Sequence, residues 1–185
     1  MDEKKALRRA MRERGELLTR AYREAADRAI RGHIQASGAW QRSASVFIYV
    51  SMWTEPDTRA LLEEALKSGK TLYVPRCDPG RSMRAVRLAS LDKLRPGTLG
   101  IPEPVGDRES AGPGDIELAL IPCVTATRDG RRLGHGMGYY DRFLEQHRCR
   151  KLCLCYEALL STELPTDAHD VLMDAVVTEN GLYTR

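Results

Sequence analysis

Three glycines spaced two residues apart govern the local backbone of residues 134–138 (the glycine loop) in this 185-residue chain. Gly134, Gly136 and Gly138 have no Cβ, so the backbone here can adopt positive φ and turn successive amide N–H groups toward one anion. Arg131 and Arg132 stand before the glycines and add fixed positive charge. The pattern therefore predicts a loop that binds a phosphate group.

A helix is predicted to begin directly after the glycine loop. Tyr140, Phe143 and Leu144 recur at i, i+3 and i+4, which is the spacing of one helix face. The helix N-terminus would add its positive dipole end to the loop amides. The loop lacks the Gly-Lys-Ser/Thr ending of a P-loop and the G-x-G-x-x-G spacing of dinucleotide folds, so it belongs to neither of these common motifs.

Apolar runs alternate with helical patterns along the chain. Residues 46–50 form a continuous apolar run, which predicts a strand buried on both faces and favours a parallel sheet covered by helices. The glycine loop follows a predicted strand, so it is expected at the carboxyl edge of the sheet, where open α/β folds bind ligands. Further strands are predicted at 71–74, 83–88, 116–121, 152–155 and 175–177, and the proline- and glycine-rich residues 96–114 are predicted to be a loop region. Residues 1–185 are therefore predicted to form a single-domain α/β protein, a three-layer sandwich with a mainly parallel central sheet flanked by helices.

The start of the chain predicts a helical region at about 2–37 with a basic face. Gly15 and Thr19 are the expected breakpoints between two helices, and Ser37 with Gly38 is expected to end the region. The basic face would suit an anionic ligand or a nucleic acid, and it would equally suit a solvated helix surface. The net charge of +3 is too small to indicate nucleic-acid binding by itself. The basic residues of this face are Lys4, Lys5, Arg8, Arg9, Arg12 and Arg14.

Composition argues against a membrane span and against secretion. The chain is 42% hydrophobic, yet it has no apolar run near the roughly 18 residues that a span needs. The charged N-terminus lacks the apolar segment of a signal peptide, so a cytoplasmic location is expected. The five cysteines form an odd set without framework spacing, which is typical of reduced thiols. Cys153 and Cys155 share a predicted strand face and, with Cys149, allow a metal site, but buried thiols that act as small hydrophobes are commoner.

Residues 132–142 read Arg-Leu-Gly-x-Gly-x-Gly-Tyr-Tyr-Asp-Arg, and this motif resembles the signature of the 5-formyltetrahydrofolate cyclo-ligase family, also called methenyltetrahydrofolate synthetases. Three further stretches are similar to that family in the same order along the chain. They are the basic residues 4–8, the segment 49–75 with Glu55, and the segment 164–179. The resemblance covers nearly the whole chain.

The resemblance implies an ATP-dependent ligase of one-carbon metabolism that forms a C–N bond. Its reaction would convert 5-formyltetrahydrofolate to 5,10-methenyltetrahydrofolate with ATP as co-substrate and Mg²⁺ as cofactor, and would release ADP and phosphate. The implied partners are two small molecules, ATP and a reduced folate. The protein itself is expected to be a monomer or a weak dimer. Neither a membrane nor a nucleic acid is an expected partner.

The resemblance also implies which residues bind each ligand, although it leaves the catalytic residues unassigned. Asp141 and Asp170 would hold magnesium, while Val50 and Glu55 would contact the folate. The ATP contacts would come from Lys4, Lys5, Arg8, Arg132, Leu133, Gly134, His135, Gly136, Met137, Gly138 and Tyr139, and residues 135–139 would face the substrate as well.

Each implied role has a simpler alternative in the sequence. Asp141 stands in a first helical turn, where the dipole favours a carboxylate without any metal. Asp170 is in a polar segment and would be able to bond to nearby amides, and Glu55 before a proline would be a solvated turn residue. Tyr140 shares a helix face with Phe143, so core packing is its favoured role.

Two departures from the family pattern leave room for a different function. The family often has Phe-Asp shortly before its glycine loop, whereas this chain has Ala126 and Thr127, so a carboxylate is missing. Met137 stands where the family often has glycine or lysine. A non-catalytic nucleotide- or folate-binding paralogue is therefore an alternative, and an RNA-binding protein that uses the basic helices is a third.

Overall fold

The protein is described by a computed structural model that covers residues 3–80, 82–106 and 109–185. The helices are α1 (Glu3–Glu16), α2 (Arg20–Ala36), α3 (Gly38–Arg42), α4 (Arg59–Lys67) and α5 (Tyr139–Gln146). The strands are β1 (Ser45–Ile48), β2 (Thr71–Asp78), β3 (Ser82–Arg87), β4 (Leu94–Pro96), β5 (Pro102–Pro104), β6 (Leu118–Pro122), β7 (Thr125–Ala126), β8 (Arg132–Leu133), β9 (Arg150–Leu154), β10 (Ala175–Thr178) and β11 (Gly181–Thr184).

Seven of the strands form one sheet in the order β11-β10-β9-β6-β1-β2-β3. The five inner strands are parallel, and antiparallel β3 and β11 close the two edges. In the centre Val46 is in register with Leu72 on β2 and with Leu118 on β6. The predicted fold class is confirmed, because this is a single domain with a mainly parallel sheet and flanking helices.

Helices cover the sheet and bury its central strands. Every residue of β6 and of β10 is buried, which follows from packing on both faces of a parallel sheet. Helix α2 packs against β10, α4 against β1 and β2, and α5 against β3. Within the described residues, no helix is both long and apolar enough to span a membrane.

The N-terminal helices divide at Thr19 as the sequence predicted, whereas Gly15, the other predicted breakpoint, lies inside α1. Helix α1 ends at Glu16, and the Thr19 side chain caps α2 by accepting from the Tyr22 amide at 3.2 Å. The predicted helical region at about 2–37 thus corresponds to α1 and α2, with residue 2 outside the described residues. It is followed by a further short helix, α3, which the sequence did not predict.

The predicted loop region at 96–114 contains regular structure. Strands β4 and β5 form an antiparallel pair in which Arg95 is in register with Glu103. Each strand is only three residues long and contains proline, which hides the strand pattern in the sequence. Residues 107 and 108 of this region lie outside the described residues. Strand β11 was also not predicted.

The cysteines are free and three of them belong to the core. Cys123, Cys153 and Cys155 are buried, while Cys77 and Cys149 are partly buried. Among residues 3–80, 82–106 and 109–185, no group of three histidine, cysteine or acidic side chains is arranged to hold a metal ion. The favoured prediction of buried thiols agrees with this packing.

Candidate active site

A cavity of about 840 Å³ lies at the carboxyl ends of the central strands. Val50 lines it just beyond β1, Cys77 lines it near the end of β2, and Pro122 lines it at the end of β6. Helix α1, the glycine loop and α5 complete its walls. The cavity is therefore at the sheet edge where the sequence predicted a ligand site.

The glycine loop joins β8 to α5 and leaves its backbone amides available. Gly136 has φ of 100° and Gly138, the N-cap of α5, has φ of 68°, a region that residues with a Cβ rarely adopt. In the described part of the chain, no hydrogen bond has an amide of residues 135–139 as its donor. These amides and the N-terminus of α5 lie together at the cavity and form a site for an anion.

A basic row on α1 lies beside the glycine loop. Lys4, Arg8 and Arg12 are four residues apart, so they share one helix face, and all three line the cavity. Arg8 Nε donates to the Gly134 carbonyl at 2.8 Å, which docks α1 on the loop. Lys5, also predicted to contact ATP, is exposed and does not line the cavity.

Arg132 is buried beneath the glycine loop and is not exposed on its surface. Its side chain is 2% exposed, and its Nη2 donates to Asp141 Oδ1 at 2.6 Å. Its Nη1 donates to the Pro122 carbonyl at 3.3 Å, and its buried Nε has no partner within the described residues. A Cβ on Gly134 would come within 2.9 Å of Arg132 Nη1. Gly134 therefore makes room for a guanidinium that joins β6 to α5.

The two predicted magnesium ligands line the same cavity. Asp141 belongs to the first turn of α5, and Asp170 Oδ2 accepts from Lys4 Nζ at 2.6 Å and from the Asp167 amide at 2.7 Å. Burial opposes ionisation of Asp170, but the hydrogen bonds from Lys4 and the Asp167 amide outweigh it and lower its pKa. Two carboxylates on separate segments suit Mg²⁺, which commonly takes one or two carboxylates together with phosphate oxygens and water.

Glu55 is buried at the cavity wall instead of being a solvated turn residue. Its side chain is 4% exposed, its Oε2 accepts from the Met52 amide at 2.9 Å, and its Oε1 lies 3.7 Å from His135 Nε2. Burial raises the pKa of Glu55 to about 7, and the Met52 amide partly offsets the rise. Burial, with help from Arg12 and other nearby guanidinium groups, lowers the pKa of His135 to about 4. His135 is therefore neutral near pH 7 and adds no charge to the loop.

Two hydrogen bonds hold the segment that carries Glu55. The Tyr49 hydroxyl donates to the Pro56 carbonyl at 2.7 Å, and the Thr58 hydroxyl donates to the Tyr49 carbonyl at 2.7 Å. Both bonds are buried, so the segment between β1 and α4 has a fixed shape.

Tyr140 is partly buried and packs against the core, in line with the packing role that the sequence favoured. Its ring meets Phe47 edge-on, with 6.4 Å between the ring centroids, and also lines the cavity. The two departures from the family pattern do not fill the cavity: Thr127 hydrogen-bonds Asp129 in the turn between β7 and β8, and Met137 is 39% exposed.

The structure brings together nearly all the residues that the sequence assigned to the site. Those that line the cavity are Lys4, Arg8, Val50, Glu55, Arg132, Leu133, Gly134, His135, Gly136, Met137, Gly138, Tyr139, Asp141 and Asp170. Sequence reasoning missed Arg12, Cys77 and Glu103 as cavity residues. Arg12 was predictable, because it lies four residues after Arg8 and therefore on the same helix face. Nothing in the neighbouring sequence marks Cys77 or Glu103 as cavity residues.

Comparisons with known proteins show the family to which the chain belongs. The model of the 5-formyltetrahydrofolate cyclo-ligase family matches residues 1–179. The chain is 30% identical to the mouse (Mus musculus) 5-formyltetrahydrofolate cyclo-ligase over 96% of this chain and 94% of that protein. It is 32% identical to the enzyme of that name from Mycolicibacterium smegmatis, over 95% of this chain and 93% of that protein.

A solved structure with the same fold supports the same assignment. The NMR structure of Aquifex aeolicus 5,10-methenyltetrahydrofolate synthetase superposes with a TM-score of 0.86 and 30% identity, and the match covers 98% of this chain and 92% of that one. The family motif around the glycine loop, the full-length match and the shared fold all point the same way. The chain therefore belongs to the 5-formyltetrahydrofolate cyclo-ligase family of enzymes.

Proposed function

We propose that this enzyme converts 5-formyltetrahydrofolate to 5,10-methenyltetrahydrofolate with ATP and Mg²⁺, and releases ADP and phosphate. The observation that carries the proposal is the set of unbonded amides at residues 135–139, beside Arg8 and two carboxylates, in the same cavity as Glu55. An anion-binding wall next to a polar and apolar wall suits a triphosphate and a reduced pterin side by side.

The chemistry requires activation of an amide. The N5-formyl carbonyl is a poor electrophile toward N10, and its oxygen is a poor leaving group. Transfer of the γ-phosphoryl group from ATP to the formyl oxygen converts that oxygen into a good leaving group, and attack by N10 then expels phosphate and closes the ring. The protein contributes mainly positioning and charge stabilisation to such a reaction.

The residues of the cavity divide these tasks. The glycine-loop amides and Arg8 bind the phosphates, with Lys4 beside them at the start of α1. Asp141 and Asp170 would hold Mg²⁺, and the ion would supply positive charge against the phosphates of ATP. Val50 and Glu55 contact the folate, and the fixed segment around Glu55 orients the formyl group toward the phosphates.

We also propose the partners, the compartment and the oligomeric state of the enzyme. Its partners are ATP and a reduced folate, its compartment is the cytoplasm, and it works as a monomer or weak dimer. We expect no nucleic-acid partner, because a net charge of +3 is small for a protein that binds nucleic acid.

A coupled assay tests the reaction. Purified protein is mixed with 5-formyltetrahydrofolate, ATP and magnesium, and the methenyl product is followed by its absorbance while ADP is measured separately. Product and ADP should appear in equal amounts, and omission of ATP or chelation of magnesium should stop both. Folded protein that binds ATP and 5-formyltetrahydrofolate without forming product would instead support a non-catalytic paralogue.

A further inference from the structure

Glu103 is a carboxylate of the cavity to which neither the family motif nor the proposed reaction gives a role. It belongs to β5, on the hairpin formed with β4, and it lines the cavity from the side of β2. Its Oε1 lies 3.2 Å from the Thr98 amide and 3.4 Å from the Cys77 amide, and both amides donate to it. The carboxylate therefore links the hairpin to the central sheet.

A close approach to Gly97 fixes the side chain of Glu103 further. A Cβ on Gly97 would lie 2.5 Å from Glu103 Cδ and 2.6 Å from its Cγ, so only glycine lets the side chain lie where it does. Gly97 has φ of −117°, so its backbone does not itself demand glycine. Glycine at position 97 therefore leaves the space that the Glu103 side chain occupies.

Within residues 3–80, 82–106 and 109–185, no lysine or arginine forms an ion pair with the Glu103 carboxylate. The Cys77 thiol lies beside it, and the apolar side chains Met83 and Ile101 line the same cavity. A fixed carboxylate with one oxygen engaged by backbone amides has its second oxygen available for a donor from a ligand.

Glu103, Glu55 and Tyr140 all line the cavity. Burial raises the pKa of the Tyr140 hydroxyl, and the negative charge of Glu55 and the Cys77 thiol add to the rise. The amide and the thiol of Cys77 also contact Glu103. Lys4 and Arg8 instead belong to α1, on the side of the glycine loop. The cavity therefore offers cationic groups for an anion and, at Glu55 and Glu103, carboxylates for hydrogen-bond donors.

We infer that Glu103 is a substrate-binding residue that accepts a hydrogen bond from an N–H group of the reduced pterin. This inference rests on the proposed function, and it adds a second carboxylate to the folate side of the site. The pyrimidine edge of a pterin presents adjacent N–H donors, which match carboxylate oxygens, whereas a triphosphate presents only acceptors. Glu103 therefore selects the heterocycle and repels phosphate from this wall.

Binding measurements separate this role from turnover. The dissociation constants of 5-formyltetrahydrofolate and of a non-hydrolysable ATP analogue with Mg²⁺ are measured by calorimetry for wild type and Glu103→Gln. The substitution keeps the size of the side chain and one acceptor for the backbone amides, but it sets an amide NH₂ against the pterin donors. The Kd for 5-formyltetrahydrofolate should rise about tenfold, roughly 1.4 kcal/mol, and that for the ATP analogue should change less than about twofold.

Two further variants act as control and as positional test. Glu109→Gln removes an exposed carboxylate that pairs with Arg87 outside the cavity, so it should leave both dissociation constants unchanged. Gly97→Ala should displace the Glu103 side chain and weaken binding of 5-formyltetrahydrofolate selectively, with a folded protein verified by its Tm. Unchanged folate binding in Glu103→Gln, or equal weakening of both ligands, would overturn the inference.

The outcomes also separate this inference from the proposed reaction. If wild type binds 5-formyltetrahydrofolate with a selective loss in Glu103→Gln but forms no product, the reaction is wrong and the binding role stands. If wild type turns over while Glu103→Gln binds 5-formyltetrahydrofolate normally, the binding role is wrong. If wild type does not bind 5-formyltetrahydrofolate, both fail.

Discussion

The Lys4 ammonium lies 2.6 Å from one carboxylate oxygen of Asp170, a residue 166 positions further along the chain. It also lies 2.7 Å from Asp167 Oδ2, so the start of α1 is held against the segment that supplies a proposed magnesium ligand. The Lys4 side chain is only 13% exposed, which keeps its charge close to the cavity. Lys4 is therefore a fixed residue of the cavity wall and not a solvated terminal residue, as its proposed role in ATP binding requires.

Replacing Lys4 with Met should weaken ATP binding about tenfold, because a charge-assisted hydrogen bond contributes about 1.5–3 kcal/mol. Binding of 5-formyltetrahydrofolate should be nearly unchanged. Calorimetry with a non-hydrolysable ATP analogue measures the first effect, and Lys5→Met is the matched control, because Lys5 is exposed and outside the cavity. Equal losses in the two variants would contradict the placement of these lysines.

Replacing Gly136 with Ala should reduce ATP affinity by at least about tenfold. The new Cβ would be strained at φ of 100° and would come within 3.2 Å of the Arg8 guanidinium carbon, at a backbone cost of about 1–2 kcal/mol. Gly69→Ala is the control, since Gly69 has φ of 75° with open space around it. Both variants should lose similar stability in urea denaturation, while ATP affinity should fall in Gly136→Ala alone.

Replacing Asp141 with Asn should raise the magnesium concentration needed for half-maximal turnover by about 10-fold or more, since a ligand charge is lost. The amide can still accept from Arg132, although the buried guanidinium loses its counter-charge, so a stability loss of about 1–3 kcal/mol is expected as well. Magnesium titrations at saturating ATP measure the first effect. Asp174→Asn, which changes a carboxylate outside the cavity, should leave the titration unshifted, and an unshifted titration in Asp141→Asn would remove the metal role.

Glu55 and His135 predict opposite effects of pH on stability. The pKa of Glu55 is raised from 4.5 to about 7, so between those values the folded protein binds more protons and its free energy of unfolding falls as pH rises. The pKa of His135 is lowered from 6.5 to about 4, so between those values the unfolded chain binds more protons and the free energy of unfolding rises with pH. The two slopes largely cancel in the wild type.

Single variants should reveal each slope. Glu55→Gln leaves the His135 slope, so its free energy of unfolding should fall as pH drops from about 6.5 to about 5. His135→Gln leaves the Glu55 slope, so its free energy of unfolding should fall as pH rises from about 5 to about 7. Urea denaturation at several pH values measures both profiles. Parallel profiles in the two variants would show that these groups do not titrate with shifted pKa values.

The sequence predicted those parts of the fold that depend on local pattern. Most of the apolar run at 46–50 belongs to β1, and α5 begins directly after Gly138. Both were predictable because strand burial and helix starts depend on residues that are close together in the sequence. The hairpin of β4 and β5 was missed, since its short proline-containing strands carry no alternation.

The site was predictable where its residues belong to one motif, and less so where distant segments meet. From the sequence alone, Arg131 and Arg132 had the same predicted role as positive charges beside the glycine loop. In the folded protein Arg131 lies on the surface near Asp129, whereas Arg132 is buried and paired with Asp141. The burial of Glu55 and the placement of Glu103 likewise depend on tertiary packing and have no local signature in the sequence.

The docking of α1 on the glycine loop and on Asp170 has a consequence for how the enzyme matures. A chain emerging from the ribosome folds its early segments first, yet the nucleotide pocket joins Lys4 and Arg8 to residues that are synthesised more than a hundred positions later. If the cavity binds ATP as proposed, a partly translated chain that lacks these later residues has only part of the site, so we expect ATP binding only after the later segments have been synthesised.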